Sequence, residues 1–399
     1  MTSNTILPAI KAFEGELIAI RQDIHAHPEI AFEEVRTAAL VAGKLRDWGI
    51  ETHEGIAGTG VVGTLKGNRP GQRAIALRAD MDALRIEEKS EFAHRSTIPG
   101  KMHACGHDGH TAMLLGAARF LAEHRDFGGT VHFIFQPAEE GLGGARVMLE
   151  EGLFERFPTD AVYGMHNQPG LRAGEFGIRQ GPSLAASDTW VVTFRGTGGH
   201  GGSGAHTATD PTIPLANFIL GAQTIVARNV PAVEPAVLSV GHIHAGAFSS
   251  PNVIPSEVVI TGTARCFSAA VRDILEQRLR QLAEGVAAIQ GCTAEVVYKR
   301  RYPPLVNTAP EVAIAAEVAA GIVGAGKVDT NIPLNIGADD FAFMLEQRPG
   351  AFIRIGNGSA EDGPCHRLHT PLYDFNDDIL ALGSTYWVSL VRKELAVEA

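Results

Sequence analysis

Short β-branched runs alternate with stretches of helical periodicity through the first half of this chain, and that alternation restricts its fold more than any other feature. Arg73–Arg78 (RAIALR) reads as a buried strand and Thr111–His124 (TAMLLGAARFLAEH) as a helix. Thr130–Phe135 (TVHFIF) reads as a strand, Gly144–Glu151 as a helix and Ala161–Met165 (AVYGM) as a strand. Strand, helix, strand, helix, strand predicts a parallel sheet covered by helices. Ahead of it, Ile6–His27 reads as an amphipathic helix of the fold. Its apolar pattern carries Glu14 and Glu16 and no basic segment leads it, unlike a signal peptide.

The pattern changes near Asp188. A strand (TWVVTFR) runs into a Gly-rich turn and the helix Ile213–Arg228, followed by the strands AVLSVGHIHA and EVVITGTARCF. A helix (VRDILEQRLRQLAEGVAAI) and a strand (AEVVYKR) complete a β-α-β-β-α-β order, which is the ferredoxin-like arrangement. After Pro303–Pro304 the αβ alternation resumes with the helix Glu311–Val323, the strand AFIRIG and a closing helix to about Glu394. Two domains in series would leave the first sheet unfinished, so the second is read as an insertion. The expected fold is α/β. A mixed, mostly parallel sheet with helices on both faces is built from residues 1–186 and 300–399, and residues 187–299 form an inserted α+β domain.

Composition narrows the function. The 399 residues carry 34 basic and 45 acidic side chains, a net charge of −11. That is enough chain for two domains, and it lacks the basic surplus that nucleic-acid phosphates require. Four cysteines (105, 266, 292, 365) form no C-x-x-C pair, against a disulfide scaffold or thioredoxin-like motif. The uncharged run Pro211–Ala227 is broken by Pro214, Asn217 and Gln223 and is too polar to span a bilayer. The expectation is a soluble, cytoplasmic protein without nucleic-acid or membrane partners.

Open α/β sheets bind ligands at the carboxyl ends of their strands. RAIALR ends in Ala79-Asp80-Met81-Asp82, TVHFIF in Gln136-Pro137-Ala138-Glu139-Glu140 and AVYGM in His166-Asn167. A fourth cluster, His103-Ala104-Cys105-Gly106-His107-Asp108-Gly109-His110, precedes a helix, and Leu368-His369-Thr370-Pro371 comes late. Singly, each has an ordinary structural explanation: a capping Asp108, a buried Cys105, a solvated Glu pair. Together they supply the thiolate, imidazole and carboxylate ligands of divalent transition metals. Five or more such ligands exceed a closed four-ligand site, which suggests two metals sharing a bridge. Neighbouring side chains in extended backbone point opposite ways, so one carboxylate of Glu139-Glu140 can bind metal while the other faces a metal-bound water as general base. The G-x-G-x-x-G runs at Gly58–Gly63 and Gly196–Gly201 open no immediate helix. A dinucleotide-binding oxidoreductase is therefore a weak alternative. No G-x-S-x-G elbow exists.

At these residues the chain resembles the metal-dependent aminoacylase/carboxypeptidase family, in the branch of hippurate hydrolases, N-acyl-amino-acid amidohydrolases and plant auxin-conjugate hydrolases. The matching segments are DIHAHPEIAFEE, LRADMDAL, MHACGHDGHTAMLLGAA, FQPAEEGLGGARVML, YGMHN, the GGHGG turn, NVIP, GADDFAF and LHTP, in family order. The resemblance implies two divalent ions (Mn, Zn, Ni or Co) on Cys105, His107, Glu140, His166 and His369. It implies Glu139 as general acid/base and Asp82 as a supporting residue behind the ligands. The inserted domain then resembles a lid and dimerisation domain, so that a homodimer is expected. His200, Asn252 and Arg265 match lid positions that contact substrate: His200 as an oxyanion donor, Arg265 as a clamp on a substrate carboxylate. Two departures stand out. His206 follows His200 one residue later than in the common pattern and receives no role, and Arg85 replaces the usual Pro after D-A-L. The expected activity is hydrolysis of the amide of N-acyl or N-aroyl amino acids. The alternatives are a dipeptidase or N-acetyl-diamino-acid deacetylase and, from another class, a non-catalytic metal-binding module.

Overall fold

The computed structural model describes residues 6–361, 363 and 365–396. Two compact units are present. One comprises the chain up to Gly181, Val306–Pro333 and the chain from Asp340 on; the other comprises Pro182–Leu305 and Leu334–Asp339.

The first unit is built on an eight-stranded sheet in the order Glu51–Ile56, Gly60–Lys66, Gly128–Gln136, Arg69–Asp80, Ala161–Gln168, Gly350–Gly356, Phe176–Gly177, Val328–Asp329. Its four central strands run parallel. They read as apolar runs because both faces are covered: Ile75, Ala76 and Leu77 are all buried. The hairpin Glu51–Ile56/Gly60–Lys66 adds an antiparallel edge. The first G-x-G-x-x-G run therefore lies in a hairpin and its second strand, with no helix behind it. The helix His107–Glu123 is buried along nearly its whole length. It packs against the helices Glu14–Ala26 and Leu380–Glu394.

Two details differ from the periodicity. The expected first helix is split at Phe13 into Pro8–Ala12 and Glu14–Ala26. The Phe13 ring is turned to receive the Arg119 guanidinium 4.3 Å from its centroid, a tertiary contact that periodicity does not carry. The central strands also run past their apolar segments to Asp80, Gln136 and Gln168. Asp80, Gln136 and His166 are thus held on ladder hydrogen bonds rather than in loops.

The second unit is ferredoxin-like. Its antiparallel strands lie in the order Ala236–Ala245, Glu257–Cys266, Ser187–Arg195, Thr293–Tyr302, with the helices Thr212–Asn229 and Ala269–Ile289. Strand Ser187–Arg195 alternates strictly, burying Asp188, Trp190, Val192 and Phe194. Asp188 is the one charge on that buried row. It accepts two bonds from Arg272 (2.9 and 2.6 Å) and one each from Tyr298 Oη and the Arg301 amide (both 3.1 Å). Removing one partner of a buried pair strands the other. Asp188→Ala is therefore expected to lower stability by about 3–5 kcal/mol, read as a lower urea midpoint, whereas a loss under about 1 kcal/mol contradicts the pairing.

Candidate metal centre

The strand ends of the first unit bring the expected residues together. Cys105 Sγ lies 3.4 Å from His166 Nε2 and 3.4 Å from His369 Nε2, and His369 Nε2 is 3.1 Å from Glu140 Oε1. Donor atoms of Cys105, His107 and His166 fall within 4.8 Å of one another, as do those of Cys105, Glu140 and His369. The two triads share Cys105. Glu139 joins His107 and Glu140 in a third group of the same span.

Local backbone sets these positions. Gly106 has φ 91°, and a Cβ there would collide with Asn167 Oδ1 and Tyr373 Oη, so only glycine links Cys105 to the helix that opens at His107. His369 (φ 60°) and Ala138 (φ 54°) are left-handed non-glycines, a conformation worth roughly 1–2 kcal/mol of strain each. The His369 amide is anchored on Ala104 O at 2.8 Å, beside Cys105. The Glu139-Glu140 pair is not in extended backbone as expected. The strand ends at Gln136, and Glu139 opens a kinked turn through Glu140 (φ −69°, ψ 76°) and Gly141 (φ 83°).

Hydrogen bonds fix which ring nitrogen faces the centre. His166 donates from Nδ1 to Asn167 O at 2.7 Å, and His107 Nδ1 lies 3.3 Å from Asp82 Oδ1. Both rings thereby present Nε2 inward, the arrangement that orients metal-binding imidazoles. Asp82 also accepts the amides of Glu139 (Oδ1, 3.0 Å) and Glu140 (Oδ2, 2.9 Å).

Beneath these donors lies a layer whose members have no assigned role from sequence. Asp80 sits between Arg78 Nη1 and His110 Nδ1, each at 2.6 Å, and His110 Nε2 meets Asn167 Oδ1 at 2.8 Å. Arg78 is itself held by Gln136 and Asp340. An arginine inside an apolar strand was the available signal, since a fully buried guanidinium must have anionic partners.

Residues 76–393 match the model of peptidase family M20/M25/M40. The chain belongs to that family. It is 38% identical over 392 residues to a hippurate hydrolase of Campylobacter jejuni, covering 98% of this chain and 99% of the relative. It is 37% identical over 388 residues to an N-acetylcysteine deacetylase of Bacillus subtilis, covering 96% and 97%. A solved dinuclear metal-binding peptidase of family M20 from Bacillus subtilis is similar at a TM-score of 0.83 and 35% identity, covering 96% and 99% of the two chains. This M20-family chain is a metal-dependent amidohydrolase.

Its residues fit a pair of divalent cations. His107 Nε2 is buried without a hydrogen-bond partner, 3.7 Å from Asp80 Oδ2, a donor atom open to a cation. Burial, reinforced by the charges of Glu140, Glu139 and Asp80, pushes the Cys105 thiol well up. Burial disfavours a charged His107, but Asp80 and Asp82 outweigh it and raise the imidazole to about 10. Burial and then the His110 ring hold His166 well below its ordinary value. Glu140 is raised by burial, yet His369 and His107 bring it below the usual carboxylate range. The carboxylates of Asp80, Glu139 and Glu140 crowd the centre with buried negative charge, which divalent metals on mixed S/N/O ligands would offset.

In the second unit the structure brings His200 and Asn252 together. Strand Gly199–His200 pairs with Val253–Ile254, and Asn252 O accepts the Gly201 amide at 2.8 Å. His200 is exposed, its Nδ1 accepting the amides of Gly202 (3.0 Å) and Ser203 (3.1 Å). Arg265 is half-buried on the strand Glu257–Cys266 and donates to Ala264 O at 2.9 Å. The second G-x-G-x-x-G run forms the turn and strand that carry His200.

The helix start in the first unit is directly testable. Gly106→Ala combines overpacking with a left-handed penalty, so stability should fall by about 2 kcal/mol or more. An unchanged Tm would mean that Asn167 and Tyr373 yield freely.

Proposed function

We propose that this chain hydrolyses the amide bond of N-acyl or N-aroyl amino acids at two divalent metals held by Cys105, His107, Glu140, His166 and His369, with Glu139 as the general base. The observation that carries this reading is the Glu139-Glu140 turn. Asp82 takes both amides, so the two carboxylates are set by one rigid backbone: Glu140 falls into the Cys105–His369 group and Glu139 beside His107. When bound, the metal pair polarises the scissile carbonyl and makes water acidic enough to lose a proton at neutral pH. Glu139 accepts the proton of the attacking water and returns it to the departing amine nitrogen, which balances the hydrolysis. His200 donates to the acyl oxygen as it gains negative charge, Asn252 flanks it, and Arg265 pairs with the substrate carboxylate. The names of the hippurate hydrolase and N-acetylcysteine deacetylase support this substrate class. The reading also takes residues 187–299 as the lid and places the protein in the cytoplasm, where its four free thiols stay reduced. No helix among the described residues is long and apolar enough to cross a membrane.

The test is turnover of N-benzoylglycine and a set of N-acetyl amino acids with added Mn or Zn, together with Glu139→Gln. The variant should keep its metal and lose about 10²–10⁴-fold in kcat. No turnover on any of these amides ends the proposal, and a variant above a tenth of the wild-type rate removes Glu139 as base.

The same proposal includes a symmetric homodimer through the lid. Helix Thr212–Asn229 exposes Ile213 and Leu220, and the edge strand Ala236–Ala245 exposes Val237 and Ile243. A second copy covers such a face economically. If the partner's His200 completes each site, mixing inactive His200→Ala with inactive Glu139→Gln subunits restores activity in about half of the heterodimer's sites. Heterodimers that form and stay inactive show that each lid serves its own subunit.

A further inference from the structure

The segment DIHAHPEIAFEE supplies none of the residues assigned above, yet Glu34 within it is completely buried. We infer that Glu34 is a positioning residue for amide hydrolysis: its carboxylate clamps the turn that aims Glu139. This rests on the proposed role of Glu139.

Glu34 Oε1 accepts the amides of Phe32 (3.0 Å) and Ala138 (2.9 Å), and Oε2 accepts the Thr59 hydroxyl at 2.7 Å. Ala138, Glu139 and Glu140 thus surrender three consecutive amide hydrogens to two buried carboxylates, the first to Glu34 and the next two to Asp82. With these three amides fixed, the Cα–Cβ direction of Glu139 is fixed too.

Strain converges on the same carboxylate. The left-handed non-glycines among the described residues are Phe32, Ala57, Ala138 and His369. Phe32 and Ala138 bond Glu34 directly. Ala57 is one step away, in the turn closed by the Thr59 amide on Ala57 O at 3.1 Å, whose hydroxyl bonds Glu34. Such conformations persist only where the surroundings over-determine them, and they gather at functional sites. The segment also braces Asp82 from behind: Glu29 O accepts the amide of Ala83 at 2.7 Å.

A merely structural filler would not be a carboxylate. No salt bridge to Glu34 is found among the described residues. Burial, with the charge of Asp82 adding to it, raises its carboxyl to about 7. Burying such a group is unfavourable, and what it obtains is three well-placed donors on strained backbone.

The experiment uses the full-length, metal-loaded enzyme and whichever N-acyl amino acid the wild type turns over fastest. Glu34→Ala frees the Ala138 amide, and a misplaced base costs up to about 10²-fold. Its kcat should fall about 10–100-fold, with KM within about twofold and metal content per subunit unchanged. Glu34→Gln keeps an acceptor for Phe32 and Ala138 and turns its NH₂ toward the Thr59 oxygen, so kcat should recover to within about fivefold of wild type. Adding Glu34→Ala to Glu139→Gln should bring little further loss, because one residue acts through the other. If Glu34→Ala does not fold, Thr59→Val reports instead, with a kcat loss of about 3–10-fold at constant KM and metal content. An unchanged kcat in the folded variant, a loss that tracks metal content, or full additivity with Glu139→Gln overturns the clamp. A wild type inactive on every amide overturns the clamp together with the reaction it serves.

Discussion

Asp82 is the contact on which the centre depends. One buried carboxylate orients His107 through Nδ1 and takes the backbone amides of both Glu139 and Glu140. An imidazole from the start of a helix and two carboxylates from the end of one strand are thereby registered to a single group. Asp82 can do this because the parallel strand Arg69–Asp80 carries it out beside the strand Gly128–Gln136, which leads to the Glu pair. Shifting that register by one residue would turn the polar set into the core.

A second layer of buried charge holds the first in place. Arg78, Asp80, His110 and Asn167 form a chain across two adjacent strands and the helix, ending at Tyr373. On the far side of His107, Asp108 binds Arg21 (2.9 Å) and His25 (2.8 Å), and His25 reaches Glu88 at 3.3 Å. Burial alone would discharge His25, but Asp108 and Glu88 outweigh it and raise the imidazole to about 9. Buried networks of this kind are weak sources of net stability and strong sources of geometry, since each member is costly unless every partner is in place. Here the geometry is the direction of the first-turn side chains of the helix His107–Glu123.

Much of this was legible from residues alone. The apolar runs at Arg73–Arg78, Thr130–Phe135 and Ala161–Met165 mark three of the four central strands, because strands buried on both faces cannot alternate. Cys105, His107, Glu139, Glu140, His166 and His369 stood out because thiol, imidazole and carboxylate at strand ends have a shared chemistry. Asp80 and His110 fell in the same polar clusters without a role of their own, and Arg78 read only as part of a buried strand. Each has an ordinary local explanation, and only pairing across distant segments shows that none is solvated. Glu34 was still less visible, as a glutamate just ahead of a helix usually faces water.

Sequence by itself determined the order of the elements, the ferredoxin-like insertion and the donor types at the strand ends, because periodicity and residue chemistry are local properties of the chain. Tertiary structure alone decided that Cys105 stands between two triads, that His107 and His166 turn Nε2 inward, and that Glu139 leaves a left-handed Ala138 rather than an extended strand. Apart from the local His166 Nδ1–Asn167 O bond, those outcomes depend on contacts between residues tens to hundreds of positions apart. The partner of a buried donor is chosen by packing, and no local pattern encodes it.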